Sequence, residues 1–548
     1  MTLTLRPFLL SAIALASLAA FSAAEDARKA KPKTHAMVYM PPRGAMWDPS
    51  VLWHDGKYYM FSMYWPAAAG WESVWLATSS DGVHWRDYGE VIPHPRAKSP
   101  CNQVYKCFVS RCGDRFVMDF GAFSGKLGTE IQDTLCFYQS QDLIHWKHAG
   151  ESHADARWYL DTAAGGRWDH MYVLPKEEGN PKAGYWGWVV ANPKPAERAR
   201  NRAFGMMESA DGLHWNALQP PLVELGGMDP ISPGLAYETG GAERIGGKYY
   251  LLAGTYRYLR QMSYAMFTFT SDNPRGPFKL DPMDYRLCGA SQAHPPLPTG
   301  TGVQQLACWV RGNGELLISN YLSWGNIVLL PLRKPVVDAD GHLRLGYWKN
   351  NDAAKGGPLV LKTDQCVQAF PREPRLLAAD AQAVRLNAAG IAGADPALPS
   401  RAAALLRQAF DMERGVILEG TIEVGAGRNR PCYAGFYLEA KDGEGTGILL
   451  AVSDAASRCS HVGALKLGKQ WDFRSCDETG PGCATVTGIA PGCKHTFRLW
   501  MHHDIFELYI DDLLVQTMAV GERSGRVGFL VQNGAATVAD LKAWSMNL

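Results

Sequence analysis

The chain has 548 residues, enough for two or more domains, and carries 55 lysines and arginines against 54 aspartates and glutamates. This balance excludes an electrostatic nucleic-acid binder, because no basic excess exists to neutralise phosphates. Hydrophobic residues make up 47% of the chain and charged residues 20%, so the chain can bury hydrophobic cores and is not disordered. Its 56 glycines, 18 tryptophans and 22 tyrosines favour an all-β protein of short strands and tight turns.

The first 24 residues have the pattern of a secretory signal peptide. Arg6 precedes an apolar stretch over residues 7–20, and Ser22 and Ala24 supply the small residues of a cleavage site. We therefore expect a secreted or periplasmic protein, with no membrane partner after cleavage, because no later apolar stretch is long enough to span a bilayer. The twelve cysteines fit an oxidising compartment, and since none stands in a CxxC pair, disulfides are favoured over a zinc site.

A turn element of the form Ser-x-Asp-Gly-x-His-Trp recurs within residues 36–348. Its aspartates are Asp81, Asp142, Asp211 and, in a degenerate copy, Asp272. A glycine followed by a strand pattern precedes each copy, and a fifth such strand follows Gly314. Each unit reads as a four-stranded sheet, which cannot bury both faces alone, so we predict that five units stack as a five-bladed β-propeller. The recurring histidine and tryptophan are expected to pack the blades and not to bind a ligand.

The sequence changes character after the repeats. Residues 349–358 read as an interdomain linker, and residues 359–548 alternate apolar and polar positions in the manner of an antiparallel, lectin- or concanavalin-like β-sandwich. Within this region, the alanine-rich stretch 378–409 indicates a short helix. The expected fold class is therefore all-β, a five-bladed β-propeller followed by a C-terminal β-sandwich.

One polar residue stands ahead of the glycine-led strand in each of the five repeats. These residues are Asp48, Asn102, Asp169, Glu238 and Gln304. Because the innermost strand of every blade lines the central channel, residues at this position are expected to converge on one end of the channel. Three of them are carboxylates. Clustered like charges raise at least one pKa and are costly without a ligand, a metal or a reaction to use them.

Two carboxylates flanking a bond are what glycoside hydrolysis requires. One stays ionised as base or nucleophile, the other is held protonated as general acid, and a third can keep the pKa of the acid high. This chemistry requires no cofactor. The opposing interpretation is that the three acids cap strands or bind a cation, for which a structural Ca²⁺ in the channel is one option and His294 is a weak candidate ligand.

Two segments resemble known enzymes. Residues 47–60, with Trp-Asp-Pro-Ser ahead of Asp-Gly-Lys-Tyr-Tyr, resemble the first-blade signature of the five-bladed glycoside hydrolases of families 43 and 32, and residues 238–251 look like their general-acid strand. The resemblance implies that Asp48 is the general base or nucleophile, Glu238 the general acid and Asp169 the residue that tunes the acid. The asparagines usual in the family 32 signature and the Glu-Gly-Pro usual in family 43 are missing, which indicates a divergent member.

Glu243 competes with Glu238 for the role of acid, but its odd spacing points it to the other face of the strand, and the register before Gly247 favours Glu238. Other side chains near the proposed acids are candidates for sugar contact. They are Trp47, Trp65, Trp71, Trp168, His170, Asn102 and Gln304. Burial and a structural role are the alternative for the tryptophans and for His170.

The sequence therefore predicts a secreted glycoside hydrolase whose partner is a plant, algal or microbial oligo- or polysaccharide. One alternative is a carbohydrate-binding protein without catalysis. Another is a phosphorylase that transfers the sugar to phosphate, for which Arg43, Arg257 and Arg260 are suggestive ligands. The oligomeric state and the disulfide pairing stay open at this stage.

Overall fold

The computed structural model describes residues 38–547 apart from short internal ranges. Those ranges are 67–72, 94–102, 125–130, 162–165, 199–200, 202–203, 226–237, 257–263, 283–284, 290–303, 324–326, 364–365, 371–376, 389–398, 427–429, 454–459, 469–470, 476–484, 486–488 and 522. The predicted signal peptide, residues 1–24, lies outside the described residues. No helix in the described part of the chain is long and apolar enough to cross a membrane.

Five β-sheets follow one another over the described residues up to Tyr347, and their pairings are antiparallel apart from one short parallel pair in the fourth. In each of the first three sheets the strands lie side by side in chain order. The first sheet contains β1 (Ala45–His54), β2 (Lys57–Trp65), β3 (Ser73–Ser79) and β4 (Arg86–Ile92), and the second contains β5 (Gln103–Cys112), β6 (Arg115–Ser124), β7 (Ile131–Ser140) and β8 (Lys147–His153). The third sheet contains β9 (Trp168–Pro175), β10 (Tyr185–Ala191), β11 (Gly205–Ser209) and β12 (Trp215–Leu218). Two 3-10 helices, Pro181–Ala183 and Pro195–Glu197, lie in the third unit.

The fourth and fifth sheets keep the same plan with short additional strands. The fourth contains β13 (Val223–Glu224), β14 (Glu238–Ile245), β15 (Lys248–Tyr256), β16 (Tyr264–Ser271), β17 (Phe278–Leu280) and β18 (Cys288–Gly289). The fifth contains β19 (Gln304–Gly312), β20 (Glu315–Ser323), β21 (Ile327–Leu329), β22 (Arg333–Val337) and β23 (Leu343–Tyr347).

The first long strands of the five sheets contact one another in a closed ring. β1 contacts β5 and β19, β9 contacts β5 and β14, and β14 contacts β19. Sheets arranged radially around such a ring form the blades of a propeller. Near its start the described chain also joins the fifth blade, since Tyr39 and Leu329 exchange backbone hydrogen bonds of 3.0 and 2.9 Å.

The recurring Ser-x-Asp turn links the third and fourth strands of the first three blades. In the first copy, Ser79 Oγ accepts a hydrogen bond from the Gly82 N–H at 2.8 Å, and Asp81 Oδ1 accepts one from the His84 N–H at 2.8 Å. Asp81 Oδ2 lies 2.7 Å from His84 Nδ1. The same three contacts recur around Asp142 and Asp211. The histidine therefore serves the turn itself, and the prediction that it packs the blades is wrong for His145 and His214, whose side chains are 84% and 88% exposed.

The aspartates of these turns are expected to make the folding stability of the protein decrease at acid pH. Burial raises the pKa of Asp81, but hydrogen bonds from His84 and neighbouring groups outweigh it and lower the pKa to about 2. A carboxyl with a lowered folded-state pKa adds stability above its unfolded pKa of about 3.9, and that stability is lost as the pH falls towards 2. We expect replacement of Asp81, Asp142 and Asp211 by asparagine to lower Tm more at pH 7 than at pH 2, as measured by calorimetry. An equal loss at both pH values would contradict this.

The C-terminal part of the chain forms a two-sheet β-sandwich. One sheet contains β24 (Lys355–Leu359), β26 (Leu377–Ala379), β27 (Ala383–Asn387), β29 (Val416–Ala426), β34 (Lys494–His502), β35 (Ile505–Ile510), β36 (Leu513–Ala519) and β38 (Gly534–Met546). The other contains β25 (Cys366–Phe370), β28 (Arg401–Ala409), β30 (Cys432–Lys441), β31 (Glu444–Val452), β32 (His461–Lys466), β33 (Asp472–Ser475) and β37 (Arg526–Gln532). The all-β fold class, a propeller followed by a sandwich, is confirmed.

The segments between these domains differ from a simple linker. Within the predicted linker, Lys349–Ala354 is a 3-10 helix and Lys355–Leu359 is a strand paired with the last strand of the chain. The helix predicted in the alanine-rich stretch is wrong for its described part, where β26, β27 and β28 lie. Ala402 and Ala404 of this stretch are buried in the core between the two sheets, and this packing outweighs their helix propensity.

The propeller and the sandwich share a sheet and a core. Gly346 of β23 pairs with Leu513 of β36, so the outer strand of the fifth blade continues into the sandwich. One hydrophobic cluster contains Tyr347 of the propeller together with Trp500 and Tyr509 of the sandwich. The interface therefore buries both aromatic and backbone groups, as within a single domain.

Candidate active site

Asp48 lies on the innermost strand of the first blade, at a break in the pairing of β1 with β2 between Trp47 and Ser50. Its backbone has a φ of 47°, in the left-handed region that non-glycine residues seldom adopt. Such a bulge re-aims a side chain out of the regular alternation of a strand. The Asp48 carboxylate accepts a hydrogen bond of 2.5 Å from the Tyr321 hydroxyl of the fifth blade.

The electrostatic surroundings of Asp48 come from four other strands. Burial raises the pKa of Asp48, and the negative charge of Glu238 raises it further. The Lys106 ammonium, the hydrogen bond from Tyr321 and the charge of His170 act in the opposite direction. Asp48 therefore shares one polar centre with residues of the second, third, fourth and fifth blades.

Arg167 joins the other two carboxylates. Its Nη2 donates to Asp169 Oδ2 at 2.7 Å, and its Nη1 donates to Glu238 Oε1 at 2.5 Å. Asp169 Oδ1 also accepts the backbone N–H of His170 at 2.8 Å. Burial raises the pKa of Asp169, but hydrogen bonding with His170 and the charge of Arg167 outweigh it and hold the pKa well below its usual range. Asp169 is therefore ionised at ordinary pH.

The same residues offer a geometry that could hold a cation. Ligand atoms of Asp169, His170 and Glu238 lie within 4.8 Å of one another. Arg167 already supplies a positive charge to both carboxylates, so a metal ion there would compete with its guanidinium. The structural Ca²⁺ stays an expectation of the sequence.

Glu243 lies away from this centre. Its carboxylate accepts hydrogen bonds from the Tyr172 hydroxyl at 2.5 Å and from Arg311 Nε at 2.5 Å, and the side chain is buried. A pairing irregularity between Thr239 and Gly241 separates it from Glu238 along β14. Glu243 thus serves packing between blades, and of the two glutamates it is Glu238 that lies beside Asp169.

Three of the predicted sugar contacts are buried structural residues. Trp168 has no exposed surface and packs against Tyr159 at a centroid distance of 5.2 Å. Trp65 is 9% exposed at the end of β2. His170 is buried, and its Nε2 lies 3.1 Å from the Thr239 carbonyl oxygen. The structure therefore does not expose these three side chains for contact with a sugar, because their surfaces pack against other parts of the protein.

Gln304 needs a similar correction. It is fully buried, and its side-chain amide donates to Gln516 Oε1 of the sandwich at 2.7 Å. Its carbonyl oxygen accepts a hydrogen bond from Asn320 at 2.8 Å. Both ends of the side chain are satisfied inside the protein, so Gln304 joins the two domains and is not placed to bind substrate.

The remaining predicted residues divide in two. Trp47 is half-buried beside Asp48 and packs at the edge of two core clusters, which leaves it a candidate for sugar contact. The others lie outside the described residues, and they are Trp71, Asn102, Arg257, Arg260 and His294.

Three polar side chains of the centre are absent from the sequence prediction. Arg167 stands two residues before Asp169, so its motif position was a usable signal. Lys106 lies at a bulge of β5 between Tyr105 and Cys107. Repeat spacing alone points to Asn102, four residues earlier, and therefore misses Lys106. Tyr321 is 273 residues from Asp48 along the chain, and nothing local marks it.

No protein-family model matches this sequence, and a search of curated protein sequences finds no significant match. Solved structures do match it over almost its whole length. The sucrose-6-phosphate hydrolase of Lactobacillus gasseri aligns with a TM-score of 0.61 and 12% identity, covering 97% of this chain and 96% of that one. The family 32 β-fructofuranosidase of Bombyx mori aligns with a TM-score of 0.58 and 12% identity, covering 97% and 98%.

The fold is that of family 32 glycoside hydrolases. The fructan 1-exohydrolase IIa of Cichorium intybus gives the same result, with a TM-score of 0.56 and 11% identity over 94% of this chain and 98% of that one. The alignments include both the propeller and the sandwich, because more than nine-tenths of each chain is covered. At such low identity the likeness establishes the architecture, and the chemistry has to be argued from the residues of this chain.

Proposed function

We propose that this protein is an exported glycoside hydrolase that uses Asp48 as base or nucleophile, Glu238 as general acid and Asp169 as a fixed negative charge beside the acid. The observation that carries the proposal is the convergence of three carboxylates from three different blades on one polar centre. Glycoside hydrolysis needs a proton donor on one side of the glycosidic bond and an ionised carboxylate on the other.

Each carboxylate has surroundings suited to its role. Tyr321 and Lys106 stabilise the ionised form of Asp48, which a base or a nucleophile must present. Arg167 fixes Glu238 through Oε1, and since Oε2 accepts no hydrogen bond from the described residues, we assign it to protonate the leaving oxygen. Asp169 stays ionised, and Arg167 holds its carboxylate beside Glu238.

The reaction then proceeds without any group beyond these side chains and water. Glu238 gives its proton to the leaving oxygen as the glycosidic bond breaks. Asp48 either removes a proton from an attacking water or attacks the anomeric carbon itself, and in the latter case Glu238 activates the water that releases the sugar. The first route inverts and the second retains the anomeric configuration.

β-Fructosides are the first substrates to test, because solved neighbours of this fold include a complex with sucrose and one with 1-kestose. The first-blade signature lacks the asparagines usual in family 32, so the panel should also contain arabino-, xylo- and galacto-oligosaccharides. We expect hydrolysis of at least one, with anomer-resolved NMR of the early product showing the stereochemistry. Asp48→Asn serves as the inactive control.

The same screen separates the alternatives. Binding without hydrolysis by wild-type protein across the panel would indicate a carbohydrate-binding protein, and turnover that needs added phosphate would indicate a phosphorylase. Arg167 of the described centre is engaged with two carboxylates, which argues against a phosphate site at its guanidinium.

A further inference from the structure

We propose that Lys106, on the innermost strand of the second blade, is a positioning residue that keeps the Asp48 carboxylate in its charged form. This inference rests on the role proposed for Asp48. It concerns a residue that neither touches the substrate in our assignment nor belongs to the three carboxylates.

Lys106 is held in an unfavourable state on two counts. Its side chain is 1% exposed, although lysine is rarely buried unless it is paired. Its backbone φ is 31°, in the left-handed region, at the bulge of β5. Strain and burial at one residue persist only where the surrounding structure imposes them, and they cluster at functional sites.

The direct contacts of the ammonium are weak partners for a buried charge. Lys106 Nζ donates to Cys308 Sγ at 3.2 Å and lies 4.6 Å from the centre of the Phe108 ring. A thiol sulfur is a poor acceptor, and burial raises the pKa of Cys308, which keeps that thiol neutral. A buried ammonium needs a full negative charge nearby to offset its lost hydration.

Two carboxyl groups act on Lys106, and only one suits this purpose. Burial raises the pKa of Asp119 well above its usual range, so that this carboxyl is neutral at ordinary pH. Ser50 Oγ of β1 donates to the Cys107 carbonyl oxygen of β5 at 2.5 Å, so the bulge that carries Asp48 lies beside the bulge that carries Lys106. Asp48 is therefore the carboxylate left to balance the ammonium. Lys106 in turn is the group that most strongly opposes the effect of burial on the Asp48 pKa. The groups facing Asp48 from the other elements are Tyr321, Glu238 and His170.

This arrangement determines the direction in which the pKa of Asp48 shifts when Lys106 is replaced. Without the ammonium, burial would raise the pKa of Asp48 further. A base works only when ionised, so the acid limb of the pH profile of kcat/KM would move to higher pH. For Lys106→Met we expect a movement of at least about one pH unit, equal to about a 10-fold loss of kcat/KM on the acid side, with recovery at higher pH. Lys106→Arg should retain most of the wild-type profile.

A thermal double-mutant cycle tests the pairing without relying on activity. Lys106→Met leaves the partly buried Asp48 without its counter-charge, whereas Lys106→Met combined with Asp48→Asn removes both charges. We expect the double variant to have a higher Tm than Lys106→Met alone. Cys308→Ala is the matched control, because it removes the sulfur contact and should leave the acid limb in place.

The outcomes are distinct. Additive losses of Tm in the cycle, or a folded Lys106→Met enzyme with the wild-type acid limb, would overturn the role of Lys106. Full activity of Asp48→Asn would instead overturn the proposed function. If Lys106→Met does not fold alone, folding of the double variant still supports the pairing, and failure of both to fold while Asp48→Asn folds contradicts it.

Discussion

Replacing Glu238 by glutamine is expected to lower kcat by at least about 100-fold on a substrate with a poor leaving group. Glutamine keeps the shape of the side chain and can still accept the Arg167 hydrogen bond, but it has no proton to give to the leaving oxygen. On an aryl glycoside with an activated leaving group the loss should be much smaller, because that oxygen departs without protonation. Steady-state kinetics on the two substrates measures the difference.

Glu243→Gln is the matched control, since Glu243 is a second glutamate on the same strand, paired with Arg311 away from the centre. It should lower Tm while kcat of the folded protein stays within a few-fold of wild type. Asp48→Asn should lose activity on both substrates alike, because base or nucleophile is needed whatever the leaving group. A fully active Glu238→Gln enzyme would show that the acid is another residue.

Breaking the Arg333–Glu507 ion pair is expected to cost about 3–5 kcal/mol of unfolding free energy, because it leaves an uncompensated charge in a buried place. Arg333 lies in the fifth blade and Glu507 in the sandwich, and both side chains are at most 1% exposed. Arg333 also donates to the Tyr509 hydroxyl at 3.2 Å and to Thr517 Oγ1 at 2.9 Å. Denaturant unfolding of Arg333→Met and of Glu507→Gln measures the loss.

The exposed pair of Lys494 and Asp540 supplies the control, because both side chains are about 60% exposed and such pairs contribute about 0–1 kcal/mol. Lys494→Met should therefore leave the midpoint almost unchanged. Wild-type protein should unfold in one transition of both domains. Two separate transitions, or a loss at Arg333 no larger than at Lys494, would show that the buried pair does not couple the domains.

The repeats made the architecture predictable. A glycine-led strand recurs with a Ser-x-Asp turn, so a propeller could be predicted from the sequence, and the equivalent position in three of the repeats is held by Asp48, Asp169 and Glu238. Lys106 could not be found in this way. The bulge of β5 displaces the channel-facing residue from the position that uniform spacing selects, and bulges leave no clear mark in a single sequence.

Contacts between distant parts of the chain account for the other errors. Gln304 holds the expected repeat position, but the sandwich covers it. The repeat pattern of the propeller contains no information on where a second domain packs. Trp168 neighbours a catalytic candidate in sequence, yet alternation along β9 turns it into the core. A residue close in sequence to a site residue therefore lies on the same strand, but the alternation of side chains along that strand decides which of them reach the channel.

The sheet continuity between β23 and β36 has a consequence for how the molecule can vary. A chain ending after the fifth blade would present β23 as an open edge, with hydrogen-bonding groups free to recruit a strand from another molecule. It would also expose Arg333 without its counter-ion and the aromatic face that Trp500 covers. Insertions or exchange of modules at the junction are thus disfavoured, because they would break both the shared sheet and the buried ion pair.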